Sequence, residues 1–449
     1  MGNYFDSKYL TLVGHVQSGK TNEEINYCYR SVNNGYAVIF LVRNITADQL
    51  QLSMRISEFN QTVETPLKVK ILSHGSVEQI AKSMEMNYII ILLCNRFQLK
   101  KMKEVLQVYN GEYNICIDEV DFSIKTKNDE SESDIILSQI KKGANHILGA
   151  TATPIAVFTT QKEMTKVIKL KPNKRYHGVE SLNIEFVDNF ITNDPRSDIH
   201  TIDKIYSSLL KKKSAVLLHS VTKKRKNHLS LMWFTANLFP IFTYIIYNGD
   251  GIQVLCKNRE PEHFAKNRSI NKYGQNINKY HLLKKNENYI HFFENYSISE
   301  VLQLLVNDPF YDHTHISIIS GYLASRGVSF VSSDYSLHLT DQYFNAGKQT
   351  HGENYLQSLR ILGCYNDSTP LTLWCSERSW KCIQQHNKII NNIVNSIHNN
   401  SQWMTKIKEV LISKPGSPLT RPGLTTKFRK VSNEHFSLEL DDEEEEEVI

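Results

Sequence analysis

The sequence predicts an α/β protein built from two tandem parallel-sheet units, and three observations carry the prediction. Short β-branched and apolar runs such as "YAVIFLV" and "YIIILL" alternate with segments of helical period. The alternation lapses after about residue 160 and starts again near Thr201. The first run, "YLTLV", leads straight into the glycine-bearing turn "GHVQSGKT" and a helical pattern, the strand–loop–helix order in which backbone dipoles favour an anion.

In chain order, the strands expected in the first unit are "YLTLV", "YAVIFLV", "LKVKIL", "YIIILL", "YNICI" and "HILGA", with helices over Thr21 to Val32 and Phe97 to Val108 between them. The second unit is expected to use "AVLLHS", "PIFTYIIY", "HISIIS", "YSLHL" and "PLTLWC", closing with a long helix from about Glu377 to Ile397. The domain reading is therefore 1–160, a connecting segment 161–200, a second unit 201–400 with an insertion at about 251–296, and a linker with an acidic tail over 401–449. The connecting segment and the insertion have weak periodicity and read as surface additions. "KTKNDESESD" reads as an acidic loop.

Bulk properties exclude several classes. A hydrophobic content of 41% and a charged content of 22% over 449 residues describe an ordered globular chain with room for two or three cores. The longest apolar run, "YIIILLC", is far short of a membrane span, and "MGNYFDSKYL" has no signal-peptide core. Seven cysteines without a C-x-x-C pair read as buried small hydrophobes in a reducing compartment. Together these predict an intracellular, cytoplasmic protein with no membrane partner. The Asn-, Lys-, Ile- and Tyr-rich usage suits an AT-rich coding genome, viral ones included, in which case host cytoplasm or virion is the location. The net charge is +5, and setting aside the seven acids of "DDEEEEEVI" leaves +12 on the rest, a balance that fits a polyanionic partner or a solvated basic surface. The tail is expected to compete with nucleic acid for that basic surface.

The chemistry sits at strand ends. Gly14, Gly19, Lys20 and Thr21 meet the pattern G-x-x-x-x-G-K-[ST], in which glycines let backbone N–H groups surround phosphate, lysine neutralises the β/γ charge and the hydroxyl binds Mg²⁺. About a hundred residues later "YNICIDEVD" ends a strand with Asp118, Glu119 and Asp121, a place for one carboxylate at Mg²⁺ and a second that orients or deprotonates water. A third strand ends in "GATATP", where Thr151 and Thr153 can exchange hydrogen-bond partners and link the phosphate site to domain motion. The second unit offers "ASRG" and "QSLR", making Arg326 and Arg360 candidates for a guanidinium delivered across a cleft, with Gln357 and Arg360 expected on one helix face. Taken alone, without the first unit, Arg360 fits a surface charge on an amphipathic helix better.

The ordered series "GHVQSGKT", "DEVD", "GATATP", "ASRG" and "QSLR" is similar to that of the superfamily-two helicase motor, with two RecA-like domains. More narrowly it resembles the Z-one domain ATPases, named for their association with putative endonucleases, in "VQSGKT", "NNGYAVIFLV", "GATATPIAVF", "AVLLHSV" and "QSLRILGCY". The likeness runs from about Leu10 to Arg378. It implies ATP held by Gly14, Gln17, Ser18, Gly19, Lys20 and Thr21, with Gln357 and Arg326 also at the nucleotide. It implies Mg²⁺ at Thr21 and Asp118, Glu119 as the residue that activates water, and Arg360 as the sensing arginine. Three departures accompany it: Gly363, Cys364 and Tyr365 stand where a second arginine is usual, only thirteen residues precede Gly14, and no carboxylate-and-lysine nuclease site lies outside the motor.

Motors of this class grip a strand through loops after the strands. Here these are "RNITADQ", with Asn44 and Thr46, and "VTKKRKNH", with Lys223, Lys224 and Arg225; a solvated loop and a phosphate grip fit the second equally. "LLKKKS" reads as solvated. The function expected is an ATP-dependent motor or remodeller of DNA or RNA, indifferent to sequence. The alternative is an ATP-gated switch or clamp within a larger nuclease-linked or viral complex.

Overall fold

The computed structural model describes residues 4–123, 132–155, 157, 166–188, 198–220, 225–249, 251–256, 279–285, 288–294, 296–309, 311–321, 327–344, 352–365 and 369–397. Arg326, Lys223, Lys224, most of the acidic loop and the whole acidic tail lie outside the described residues.

Seven strands form the first sheet, in the order β3-β4-β2-β5-β6-β1-β7. They are β1 (Tyr9–Val13), β2 (Ala37–Val42), β3 (Val69–Ile71), β4 (Ile89–Leu93), β5 (Tyr113–Ile117), β6 (Ile147–Thr151) and β7 (Lys166–Lys169). Every neighbouring pair is parallel. Parallel strands need crossovers, so their C-terminal ends share one edge. The loops after β1, β2, β5 and β6, which hold the sequence motifs, therefore emerge side by side. The inner strands β2, β4, β5 and β6 are buried along their whole length, the consequence of helices on both faces.

The second sheet has nine strands, ordered β13-β14-β12-β11-β15-β10-β16-β18-β9. Here β9 is Asn183–Phe186, β10 Ala215–Ser220, β11 Thr243–Asn248, β12 Gly251–Cys256, β13 Lys279–Lys285, β14 Asn288–Glu294, β15 His315–Ser320, β16 Asp341–Phe344 and β18 Thr372–Cys375. From β11 to β9 the pairs are parallel; β12, β14 and β13 extend the sheet antiparallel. Residues 251–256, 279–285 and 288–294 of the expected insertion thus continue the second sheet.

The segment 161–200, read from sequence as a connection, contributes an edge strand to each sheet: β7 beside β1, and β9 beside β18. Between them β8 (Tyr176–His177) pairs with β17 (Gly363–Cys364). Edge strands are half solvated, and neither β7 nor β9 has a buried residue, which is why neither shows an apolar stripe in sequence.

One expected strand is corrected. "YSLHL" is a turn followed by a single bridge, Val331 to His338. Asp334 Oδ1 accepts from Ser332 Oγ at 2.6 Å, Ser336 N at 3.0 Å and Ser336 Oγ at 2.7 Å, and such local acceptors outcompete a ladder. The strand is instead β16, "DQYF", a run absent from the expected strands. Its Asp341 is fully buried against Lys212 Nζ at 2.8 Å and Trp374 Nε1 at 2.9 Å. Lys212 of "LLKKKS" is therefore a structural partner.

Apolar packing also joins the two domains. One core cluster runs from Val13, Val16 and Ala152 of the first domain into Leu356, Leu362 and Phe330 of the second, while each domain keeps a separate cluster on its other face.

A candidate nucleotide site between the two domains

The loop after β1 is shaped by its two glycines. A Cβ on Gly14 would lie 2.8 Å from Ser18 Oγ and 3.0 Å from Lys20 Cγ, so only glycine permits the loop to close. Gly19 sits at φ +92° at the start of the helix Lys20–Asn33, where a side chain would be strained. Lys20 Nζ donates to the His15 carbonyl at 2.9 Å, and Ser18 Oγ donates to the same oxygen. Gly14 N donates to Thr151 O at 3.2 Å, fixing the loop to the end of β6. His15 stacks on Tyr176, whose hydroxyl donates to Val16 O at 2.8 Å, so the loop's crest is braced by the segment leading to the second domain.

The carboxylates after β5 lie next to this loop. Asp118 is partly buried and its N–H donates to Leu41 O at 3.0 Å. Burial pushes its carboxyl upward, Asp48 adds to the shift, and Arg43 and Lys20 oppose it. Glu119 is buried at a left-handed φ of 50°, a conformation that non-glycine residues hold only when the surroundings enforce it. Asp121, quoted in the motif but given no role, accepts from Thr151 Oγ1 at 2.8 Å and from Thr153 Oγ1 at 3.0 Å. Thr151, Thr153 and Asp121 thus form a closed polar cluster beneath Glu119.

The second domain reaches into this cluster. Gln357 Nε2 donates to Thr153 Oγ1 at 2.6 Å and to Glu119 Oε2 at 3.3 Å. Gln17 Nε2 of the phosphate loop donates to the Arg360 carbonyl at 3.1 Å. Arg360 does not share a helix face with Gln357. The helix Gly352–Gln357 stops at Gln357, and Arg360 Nη1 donates to the Gln357 carbonyl at 3.0 Å, satisfying an orphan acceptor at the helix end. Nor is Arg360 a surface charge, being only 4% exposed. Burial pushes its guanidinium down to about 10, and Glu119 works in the opposite sense. Arg360 Nε and Gln357 Oε1 are buried with no hydrogen-bond partner. A donor and an acceptor left open at the same interface are what a polar ligand would satisfy.

Sequence reasoning missed Arg43 and Arg55. Arg43 follows β2 and makes a two-pronged ion pair with Asp48, at 2.7 and 2.9 Å, with Glu119 and Asp118 further stabilising its charge. Arg55 Nη2 donates to Ser329 Oγ of the second domain at 3.1 Å. Arg43 lies inside "RNITADQ", the loop expected to grip nucleic acid, and Arg55 lies thirteen residues beyond "YAVIFLV", with no local pattern that marks either as facing the second domain. Asn44 is exposed and accepts from Asn95 Nδ2 at 2.9 Å; Thr46 is exposed at the start of its helix. Arg225 opens the helix Arg225–Leu238.

Among the described residues no three His, Cys, Asp or Glu side chains converge closely enough to hold a metal alone. Mg²⁺ at phosphoryl-transfer sites needs only one or two protein ligands, the rest being phosphate and water. Among the described residues no helix is long and apolar enough to cross a membrane.

By fold the chain is an α/β protein with two tandem RecA-like domains. It is similar to S. cerevisiae Dbp5, solved bound to RNA and ADP BeF3, with 10% identity, 90% of each chain covered and a TM-score of 0.50. The ATP-dependent type ISP restriction-modification enzyme LlaBIII, solved bound to DNA, aligns at 10% identity and a TM-score of 0.48 over 93% of this chain and 32% of that one, too distant to add to the first. No family model and no curated protein sequence matches this chain.

Proposed function

We propose that this protein is an ATP-dependent nucleic-acid motor or remodeller, of helicase or translocase type, within superfamily two and nearest the Z-one domain ATPases in its motifs. The observation that supports this most is the bridge from Gln357 to Glu119 and Thr153, which ties a second-domain amide to the first domain's hydrolytic carboxylate. A site built from both domains makes nucleotide state and domain closure one equilibrium.

In this reading the amides from Gly14 to Thr21 surround the phosphates, and Lys20 leaves its loop carbonyls to meet the β/γ charge. Thr21 and Asp118 would hold Mg²⁺, which when bound neutralises charge on the phosphate oxygens. Glu119 orients a water and accepts its proton. Arg360, with its open Nε, stabilises charge on the γ-phosphate. Loss of that phosphate weakens the hold on Arg360 and Gln357, and the Thr153–Asp121–Thr151 cluster passes the change to the loop through Gly14. Nucleic acid, DNA or RNA, is held without sequence preference along the strand-end loops, with Asn44 and Thr46 on the first domain and Lys223, Lys224 and Arg225 on the second. ATPase turnover measured with and without single-stranded DNA, duplex DNA and RNA tests the reading: stimulation by at least one is expected, and indifference to all of them refutes it.

A second reading is an ATP-gated switch or clamp that unwinds nothing, working with protein partners in a nuclease-linked or viral complex. It is favoured by the place where a second arginine is usual. Gly363 and Cys364 are there committed to β17, and Tyr365 Oη donates to Ile361 O at 2.7 Å. A strand-displacement assay separates the two, since a switch binds ATP and nucleic acid yet displaces no strand.

A further inference from the structure

We infer that Glu24 is a third carboxyl of the nucleotide site, a positioning residue that holds Asp118 and the water shell of the divalent cation from beneath. The inference rests on the phosphate-site reading above. Glu24 follows Thr21 by three residues and Lys20 by four in the helix Lys20–Asn33, so it lies one turn below both on the same face. It is fully buried. One of its oxygens has only the Cys116 thiol as partner, at 4.0 Å, and the other has none. Cys116 lies on β5, which ends at Ile117 and leads straight into Asp118, so the Glu24 carboxyl is buried against the strand that presents Asp118.

This is an expensive residue for a core. A thiol is a weak donor, and an apolar side chain would fill the space between helix and strand without a desolvation penalty. Burial, and then Asp118, push the Glu24 carboxyl well above the usual range, with Lys20 opposing and Glu119 adding to the rise. Local choices that weaken a fold concentrate where function needs them. Glu24 is too far from Asp118 and Glu119 for a three-carboxylate cage, so its part is to orient Asp118 and accept from cation-bound water, not to ligate.

The test uses the full chain with ADP, with Mn²⁺ as a paramagnetic probe of the metal position and its binding read by electron paramagnetic resonance. Glu24→Gln keeps the shape and decides the question; Glu24→Leu is its apolar companion. Expected for Glu24→Gln is a loss of Mn²⁺ affinity of about tenfold to a hundredfold, with metal-free ADP affinity held within about twofold. Expected for Glu24→Leu is the same weakening together with a higher melting temperature of the nucleotide-free protein, because the unpartnered carboxyl is gone. Mn²⁺ affinity unchanged in Glu24→Gln overturns the inference and leaves Glu24 a core residue. If the parent chain binds no ADP, the phosphate-site reading itself fails, and this inference with it.

Discussion

Removing the Gln357 amide is the sharpest test of the interdomain bridge. Gln357→Ala deletes a short bond to the neutral Thr153 hydroxyl, 2.6 Å, and a longer one to the Glu119 carboxylate, 3.3 Å. A neutral bond contributes about 1 kcal/mol and one to a charged group about 1.5 kcal/mol at such a length, so closure of the domains should weaken by about 2 to 2.5 kcal/mol. That corresponds to a shift of roughly thirtyfold to seventyfold in the closed-to-open ratio. The open Gln357 Oε1 loses its own desolvation cost in the variant, which trims the effect toward the lower figure. Energy transfer between one dye on each domain reads the ratio directly. Thr153→Val, alone and combined with Gln357→Ala, then isolates the shared bond, because the Thr153 bond to Asp121 is lost in both backgrounds and cancels. A coupling of about 1 kcal/mol is expected; a value inside the additivity error of about 0.3 kcal/mol would show that the bridge carries no closing energy.

Three further outcomes follow from the same geometry. Lys20→Ala should keep the fold, since the ammonium bonds only to loop carbonyls, and should lose about 2 to 3 kcal/mol of ATP affinity by calorimetry; parental affinity would remove the loop from phosphate binding. Glu119→Gln retains a partner for Gln357 and should bind ATP normally while hydrolysis falls about a hundredfold or more in a phosphate-release assay. His219 is buried in the second domain and its pKa is pushed from 6.5 down to about 3 by desolvation. Below pH 6.5 the unfolded chain takes up a proton that the folded chain refuses, so His219's contribution is intact above that pH and is lost as pH falls toward 3. The second domain should lose about 2 kcal/mol through this group between pH 7 and 5, the slope approaching about 1.4 kcal/mol per pH unit well below 6.5, and denaturant melts of His219→Gln should fall by about 2 kcal/mol less over that range. Equal slopes would mean that His219 is protonated in the fold.

The inner strands of the first domain were legible because parallel strands buried on both faces read as uninterrupted β-branched runs. "AVIFLV", "IIILL" and "YNICI" name themselves. The loop after β1 was legible for a related reason: a Cβ on Gly14 would crowd Ser18 and Lys20, and that requirement is local. β16 was not legible, because its Asp341 is made apolar in effect by Lys212, 129 residues upstream. Arg360 was expected across the cleft but on one helix face with Gln357. Its burial follows from the cleft closing over it, and the helix end at Gln357 has no sequence signal that separates it from a helix continuing through Arg360.

The sequence by itself determined the α/β class, the inner strands of the first sheet, the glycine-bearing loop after β1 and the carboxylates after β5, since each depends on side-chain alternation or spacing within a dozen residues. Tertiary structure alone decided which edges met: 161–200 gives one strand to each sheet, Gln357 arrives beside Glu119 across 238 residues, and Glu24 is buried against Cys116 of β5. Such contacts are fixed by two sheets packing over a shared apolar core, a collective balance of buried surface and satisfied polar groups that no local pattern encodes.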